Sequence, residues 1–302
     1  MFELGLSSMP STTAINRRIA LKLQYLGTSF FGWQRQTKHR SVQGVLEKTL
    51  SRLIDRPTDL SGAGRTDTGV HASAQVAHFD TPSAIPIDRW GFALNNALPR
   101  DVSVQAVAEV ATDWHSRFSA VWRSYRYAIW NAALPNVFWQ MFSWHYRRPL
   151  DEQQMDRALQ TLLGENDLEI FRLSGSKRTH SRVQVLAVQC WRSGPLVWID
   201  VKASGFLYRM MRLLVGALVC VGLGEIAPRQ FEQMWRDRKR SPIRYSAPAR
   251  GLCLTGVGYP SDPFLASQPL DVASVATFPF AVRPDRFAAE SPVEQCFSPA
   301  LP

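Results

Sequence analysis

One eleven-residue run gathers the residues of this chain best suited to chemistry: Gly62-Ala63-Gly64-Arg65-Thr66-Asp67-Thr68-Gly69-Val70-His71-Ala72. It sets a carboxylate, Asp67, two residues after an arginine in a segment with three glycines. Glycine lets a backbone take φ > 0 and lets another molecule approach closely. A neighbouring cation favours the ionised carboxylate. The run therefore suits a single charged aspartate at the floor of a cleft, able to act as a nucleophile. It suits equally a polar β-turn, for which Gly, Asp and Thr are ordinary residues.

Other candidates lie far away in sequence. Arg123, Tyr125 and Tyr127 stand at i, i+2 and i+4 of an expected strand and so share a face. A tyrosine there can stack on a planar base and relay a proton, or it can simply pack; Tyr127 is assigned to the core or its edge. Arg209 and Arg212 stand at i, i+3 in an apolar helix and share a face as well. Buried arginines need partners, and a solvated helix edge accounts for Arg209. His71 and His78 flank the glycine run without HExxH or paired Cys/His spacing, so no metal site is expected. His71 supports the loop or touches the substrate. Lys177, Arg178, His180 and Arg182 form a basic loop, either solvated surface or a phosphate contact.

Several motifs occur in order along the chain. They are Tyr25-Leu26-Gly27-Thr28-Ser29-Phe30-Phe31-Gly32-Trp33-Gln34-Arg35-Gln36, the Asp67 run, and His115-Ser116-Arg117-Phe118-Ser119-Ala120 with Arg123-Ser124-Tyr125-Arg126-Tyr127. Gly164-Glu165-Asn166-Asp167 with Phe171-Arg172, Phe206-Leu207-Tyr208-Arg209-Met210-Met211-Arg212 and Gly251-Leu252-Cys253-Leu254 follow. In this combination the chain resembles the tRNA pseudouridine synthase A family over about residues 17–260. The resemblance implies an α+β fold of two related ferredoxin-like halves, sharing a mixed, mainly antiparallel sheet with the active-site cleft between them. It implies isomerisation of uridine to pseudouridine on the 3′ side of the anticodon stem-loop, with no cofactor. Asp67, Tyr125 and Arg212 become the catalytic set, with Arg212 as a two-pronged partner of Asp67. Arg65, which displaces the target base, joins Thr66, His71, Tyr125 and Arg123 in substrate binding. A tRNA partner, a homodimer and a cytoplasmic location are implied too. A catalytically silent RNA-binding protein on the same scaffold is the alternative. A carboxylate hydrolase is disfavoured because no second acid is positioned.

The elements expected to hold these residues follow from periodicity. Ile19, Leu21 and Leu23 mark a strand, and Ser41 caps a helix through Val42, Val45, Leu46, Leu50 and Leu53. Residues 58–62 lead as a short strand into the glycine run, and residues 73–80 leave it with Ala74, Val76 and His78 on one side. A helix over 88–97 and a strand from Val102 to Ala108 complete a half spanning 17–112. The second half, 113–260, begins with a strand over 120–130 and a helix from Asp151 to Leu163 ended by Gly164. A hairpin turning at Gly194-Pro195, a helix over 206–222, another from Pro228 and a strand over 252–259 follow.

Charge points to a polyanionic partner. The chain carries 35 Lys and Arg against 25 Asp and Glu. Residues 261–302 hold two arginines and five acids, which leaves +13 on residues 1–260. Eight of the nineteen prolines fall after residue 259, so 261–302 reads as a tail without its own core, and 1–16 as a loose leader. Four cysteines without CxxC spacing suit a reducing compartment. The apolar run Leu213–Leu223 is too short for a membrane span.

Overall fold

The structure is a computed structural model describing residues 16–173, 175, 179–239 and 246–265. Strand β1 (Arg17–Tyr25) buries Ile19, Leu21 and Leu23 completely. Helix α1 (Val42–Leu53) begins where the Ser41 hydroxyl oxygen accepts the Gly44 amide at 3.3 Å, satisfying one of the unpaired N–H groups of a helix start. Strand β2 (Ser61–Gly62) feeds the Asp67 loop and β3 (His71–Thr81) leaves it. Helix α2 (Ile87–Ala97) and β4 (Val102–Val110) come next. The remaining elements are β5 (Trp122–Trp130), β6 (Trp144–His145), α3 (Glu152–Gln160), β7 (Gly164–Asp167), β8 (Arg182–Ser193), β9 (Leu196–Ala203), α4 (Met210–Gly222), α5 (Pro228–Arg236) and β10 (Leu252–Gly258).

The strands make one mixed sheet in the order β4-β1-β3-β10-β5-β9-β8-β7, with β2 on β3 and β6 on β5. Pairing is antiparallel except at β3–β10 and β5–β6. At the β3–β10 seam Cys253 faces His71 and Leu254 faces Ala72. With its helices packed on this sheet, the molecule is α+β.

Successive strand residues point to opposite faces. Tyr127 accordingly joins the main core, which runs from Ile19, Phe79 and Trp90 to Leu214 and Phe231, while Ala128 joins a second cluster with Trp198 and Cys253. A third cluster, around Ala63, Val76, Tyr259 and Trp114, underlies the start of the Asp67 loop.

Two helices are shorter than their apolar patterns predict. Asp151 caps α3, its carboxylate accepting two amides at 3.0 Å. The helix ends at Gln160, where the Thr161 hydroxyl and the Asn166 amide take the carbonyls of Ala158 and Leu162. Gly164, with φ 97°, then opens β7 rather than closing the helix. Helix α4 begins at Met210 rather than Phe206, because the Tyr208 carbonyl accepts from Leu173 and Arg209 takes a left-handed φ of 58°. Cys190, Cys220 and Cys253 are buried core residues. No helix among the described residues is long and apolar enough to cross a membrane. The expected leader apart from Asn16, the tail beyond Leu265, and Lys177 and Arg178 of the basic loop lie outside the described residues.

Candidate active site

Backbone contacts hold the Asp67 loop in place. The segment from Gly27 to Trp33 packs main chain against main chain along it. Trp33 donates its amide to the Thr66 carbonyl at 3.0 Å, and the Gly69 amide reaches the Phe30 carbonyl at 3.3 Å. A Cβ on Gly27 would lie 2.1 Å from the Val70 carbonyl oxygen. One on Gly32, whose φ is 85°, would lie 2.7 Å from the Thr66 oxygen. Only glycine permits this approach at both positions. From the other side, the Gln75 amide donates to the Gly64 carbonyl at 2.8 Å, and Ala63 donates to Val76 at 2.7 Å.

Asp67 is 22% exposed and faces two arginines from the start of α4. Arg212 Nη1 lies 3.6 Å from Asp67 Oδ2, and Arg209 Nε lies 4.0 Å from the same oxygen. Three expectations change here. Arg65, two residues before Asp67, is exposed, and the cations at the carboxylate come from more than 140 residues away. Arg212 stands 3.6 Å from Asp67 rather than in a close two-pronged pair, and its Nε donates to the Ala247 carbonyl at 2.7 Å. Arg209, expected at a solvated helix edge, keeps a partly exposed side chain but turns its Nε toward Asp67. Its Nε is buried without a hydrogen-bond partner among the described residues, and its backbone is left-handed, a conformation that costs a non-glycine residue about 1 kcal/mol or more. Of the thirteen residues in α4, Arg212 alone is not buried.

Burial pushes the Asp67 carboxyl upward, while Arg212 and then Arg209 pull it down; the net displacement is upward. Nearby Tyr125 is 9% exposed, its ring edge-to-face with Phe206 at 4.7 Å. Burial, with the Tyr25 hydroxyl and the Asp67 carboxylate adding to it, raises the Tyr125 phenol, so it stays protonated and can donate. Tyr127 is fully buried and donates to the Pro248 carbonyl at 2.8 Å, as a core residue.

Three residues expected to bind substrate make bonds within the protein that hold the loop and its surroundings. The Thr66 hydroxyl is buried against the Tyr25 hydroxyl at 2.8 Å. His71 is 2% exposed; its Nδ1 accepts the Gly27 amide at 3.1 Å, which leaves Nε2 as the donor to the Met141 and Arg250 carbonyls. Burial keeps that ring neutral by lowering its pKa. The Arg123 guanidinium is bound by the carbonyls of Ala63, Arg117, Ala120 and Ser204, which ties three loops to β5. The loop-supporting alternative read for His71 is the one its bonds bear out, whereas the approach of Arg209 to Asp67 was not legible, since nothing local in sequence shows which distant carboxylate a side chain will meet.

Fold and site together define a class: an α+β protein whose continuous mixed sheet carries one arginine-flanked aspartate beside its parallel seam. A family model described as tRNA pseudouridine synthase matches residues 22–119 and 158–260. A tRNA pseudouridine synthase A from a Picosynechococcus species is 50% identical over 258 residues, covering 85% of this chain and 94% of its own. Proteins of the same name from a Nostoc species and from Thermosynechococcus vestitus are 50% and 51% identical over 249 residues, each covering 82% of this chain and 88% of its own. The chain belongs to the tRNA pseudouridine synthase family.

Proposed function

We propose that the protein isomerises uridine to pseudouridine in tRNA, with Asp67 as the group that meets the ribose–uracil unit. The observation that carries this reading is a single aspartate, mostly buried, faced by Arg212 and Arg209 and lying near a protonated Tyr125. The reaction breaks the bond from ribose C1′ to uracil N1 and joins C1′ to C5. The C5 proton leaves, and N1 regains one. A carboxylate serves this chemistry as a nucleophile or as an anion opposite positive charge developing on the sugar. Tyr125 offers a ring edge and a hydroxyl to the loosened base. Arg65, exposed on the same loop, fills the space left by the displaced base.

The target uridines lie on the 3′ side of the anticodon stem-loop, and the protein acts in the cytoplasm as a homodimer. The scaffold is two ferredoxin-like halves. Strand orders β4-β1-β3-β2 and β10-β5-β9-β8 repeat one pattern across the sheet and support this reading. The site lies in the cleft at their β3–β10 junction. The test is incubation with an unmodified tRNA transcript without added cofactor, followed by pseudouridine mapping. Pseudouridine at anticodon-arm uridines is expected. Tight tRNA binding with no product would favour a silent RNA-binding protein.

A further inference from the structure

The loop of residues 115–119 holds an exposed aromatic ring in a rigid frame. Phe118 is 76% exposed, an apolar surface left facing water. Its loop is nevertheless closely bonded. The His115 Nδ1 accepts the amides of Arg117 and Phe118 at 3.0 and 3.4 Å. The Ser119 amide donates to the His115 carbonyl at 2.9 Å, and the His115 amide donates back to the Ser119 hydroxyl at 3.0 Å. Ser116 is fully buried; its hydroxyl donates to the Ser61 carbonyl at 2.8 Å, and the Tyr259 hydroxyl donates to its carbonyl at 2.7 Å.

One of these bonds, and a bridge through Arg123, join the loop to the segment that leads to Asp67. Ser61 opens β2, which feeds Asp67. One nitrogen of Arg123, Nη2, binds both the Arg117 carbonyl at 2.6 Å and the Ala63 carbonyl at 3.1 Å. The loop that carries Phe118 is thus tied to the segment that leads into Asp67. Its neighbours are cationic or basic: the Arg117 guanidinium lies 5.4 Å from its centroid, and the His115 ring lies 4.4 Å away at 40°.

We propose that Phe118 is a base-stacking platform, on which an unpaired nucleotide beside the target uridine rests while Arg117 meets the adjoining phosphate. A flat exposed ring with one arginine beside it matches a nucleotide, whose base stacks and whose phosphate pairs. A second copy of this chain fits less well, since a two-fold contact through Phe118 would oppose the Arg117 cations of both copies. The inference rests on the tRNA-isomerase reading of the neighbouring site.

The test compares Phe118→Ala, Phe118→Leu and Phe118→Trp by anisotropy with labelled tRNA and by steady-state turnover. At 76% exposure none of these substitutions disturbs the core. Loss of stacking weakens tRNA affinity and raises KM about tenfold or more in the Ala variant, with kcat nearly unchanged. Trp restores both, whereas Leu, apolar but not a stacking ring, does not. Arg117→Ala lowers the slope of log affinity against log salt by about one, and Phe118→Ala leaves it unaltered. Wild-type affinity in Phe118→Ala, or full rescue by Leu, overturns the proposal. So does a change of oligomeric mass in Phe118→Ala by light scattering, which would mark a subunit contact. A wild-type protein that forms no pseudouridine would sink the isomerase reading alone, because the affinity series would still report on Phe118.

Discussion

Burial and two arginines act on the Asp67 carboxyl in opposite directions, and burial prevails. Chemistry that needs the ionised form therefore declines on the acid side at a higher pH than an unperturbed aspartate would give. The folded-state value lies above the unfolded one, so stability associated with protonated Asp67 is present at low pH and is lost as pH rises through the raised value. Arg212 exerts the larger downward pull and Arg209 the smaller. Arg212→Met should move the acid limb of kcat to still higher pH, and Arg209→Met should move it the same way by less. Single-turnover rates across pH check this; an acid limb fixed in both variants would mean the arginines do not govern Asp67. Asp67, Tyr125 and Arg212 were recognisable in the sequence because each stands in a motif of its own. Arg209 was not, because its role depends on a left-handed backbone and a carboxylate reached only after folding.

At the level of elements, the loop depends on the segment that packs against it. Gly32→Ala would place a Cβ 2.7 Å from the Thr66 oxygen and hold a side chain at φ 85°. The conformational term alone costs about 1–2 kcal/mol, and the clash falls on the residue before Asp67. A melting temperature lowered by a few degrees is expected, with turnover reduced far more than tRNA affinity. Turnover matching the wild type would show that this backbone contact does not set the loop. Elements with strong periodicity were legible: β1, the Ser41-capped α1, and the β8–β9 hairpin turning at Gly194-Pro195. The C-terminal end of α3 and the start of α4 were not. There, side chains and distant amides compete for the carbonyls an apolar pattern assigns to a helix. The bidentate Arg126–Asp200 pair, buried at 2.6 and 2.9 Å with the Trp191 indole donating to the same carboxylate, likewise left no local signal.

Across the whole molecule, the sheet brings together residues that the chain keeps apart. Asp67 precedes β3, Tyr125 lies on β5 and Arg212 on α4, and β10 joins β3 to β5. His71 reinforces that seam by bonding Gly27, Met141 and Arg250 at once. On the proposed reading, the basic body attracts a polyanion and the seam holds the loop that carries Asp67. The central claim is that this assembly exists to present one ionised carboxylate to a uridine. Asp67→Asn keeps the shape of the side chain and removes its charge. Pseudouridine formation on a tRNA transcript and tRNA affinity should be measured together for this variant and the wild type. The expected result is turnover lower by at least about a thousandfold, with affinity within a few-fold. Turnover close to that of the wild type in Asp67→Asn would contradict the account.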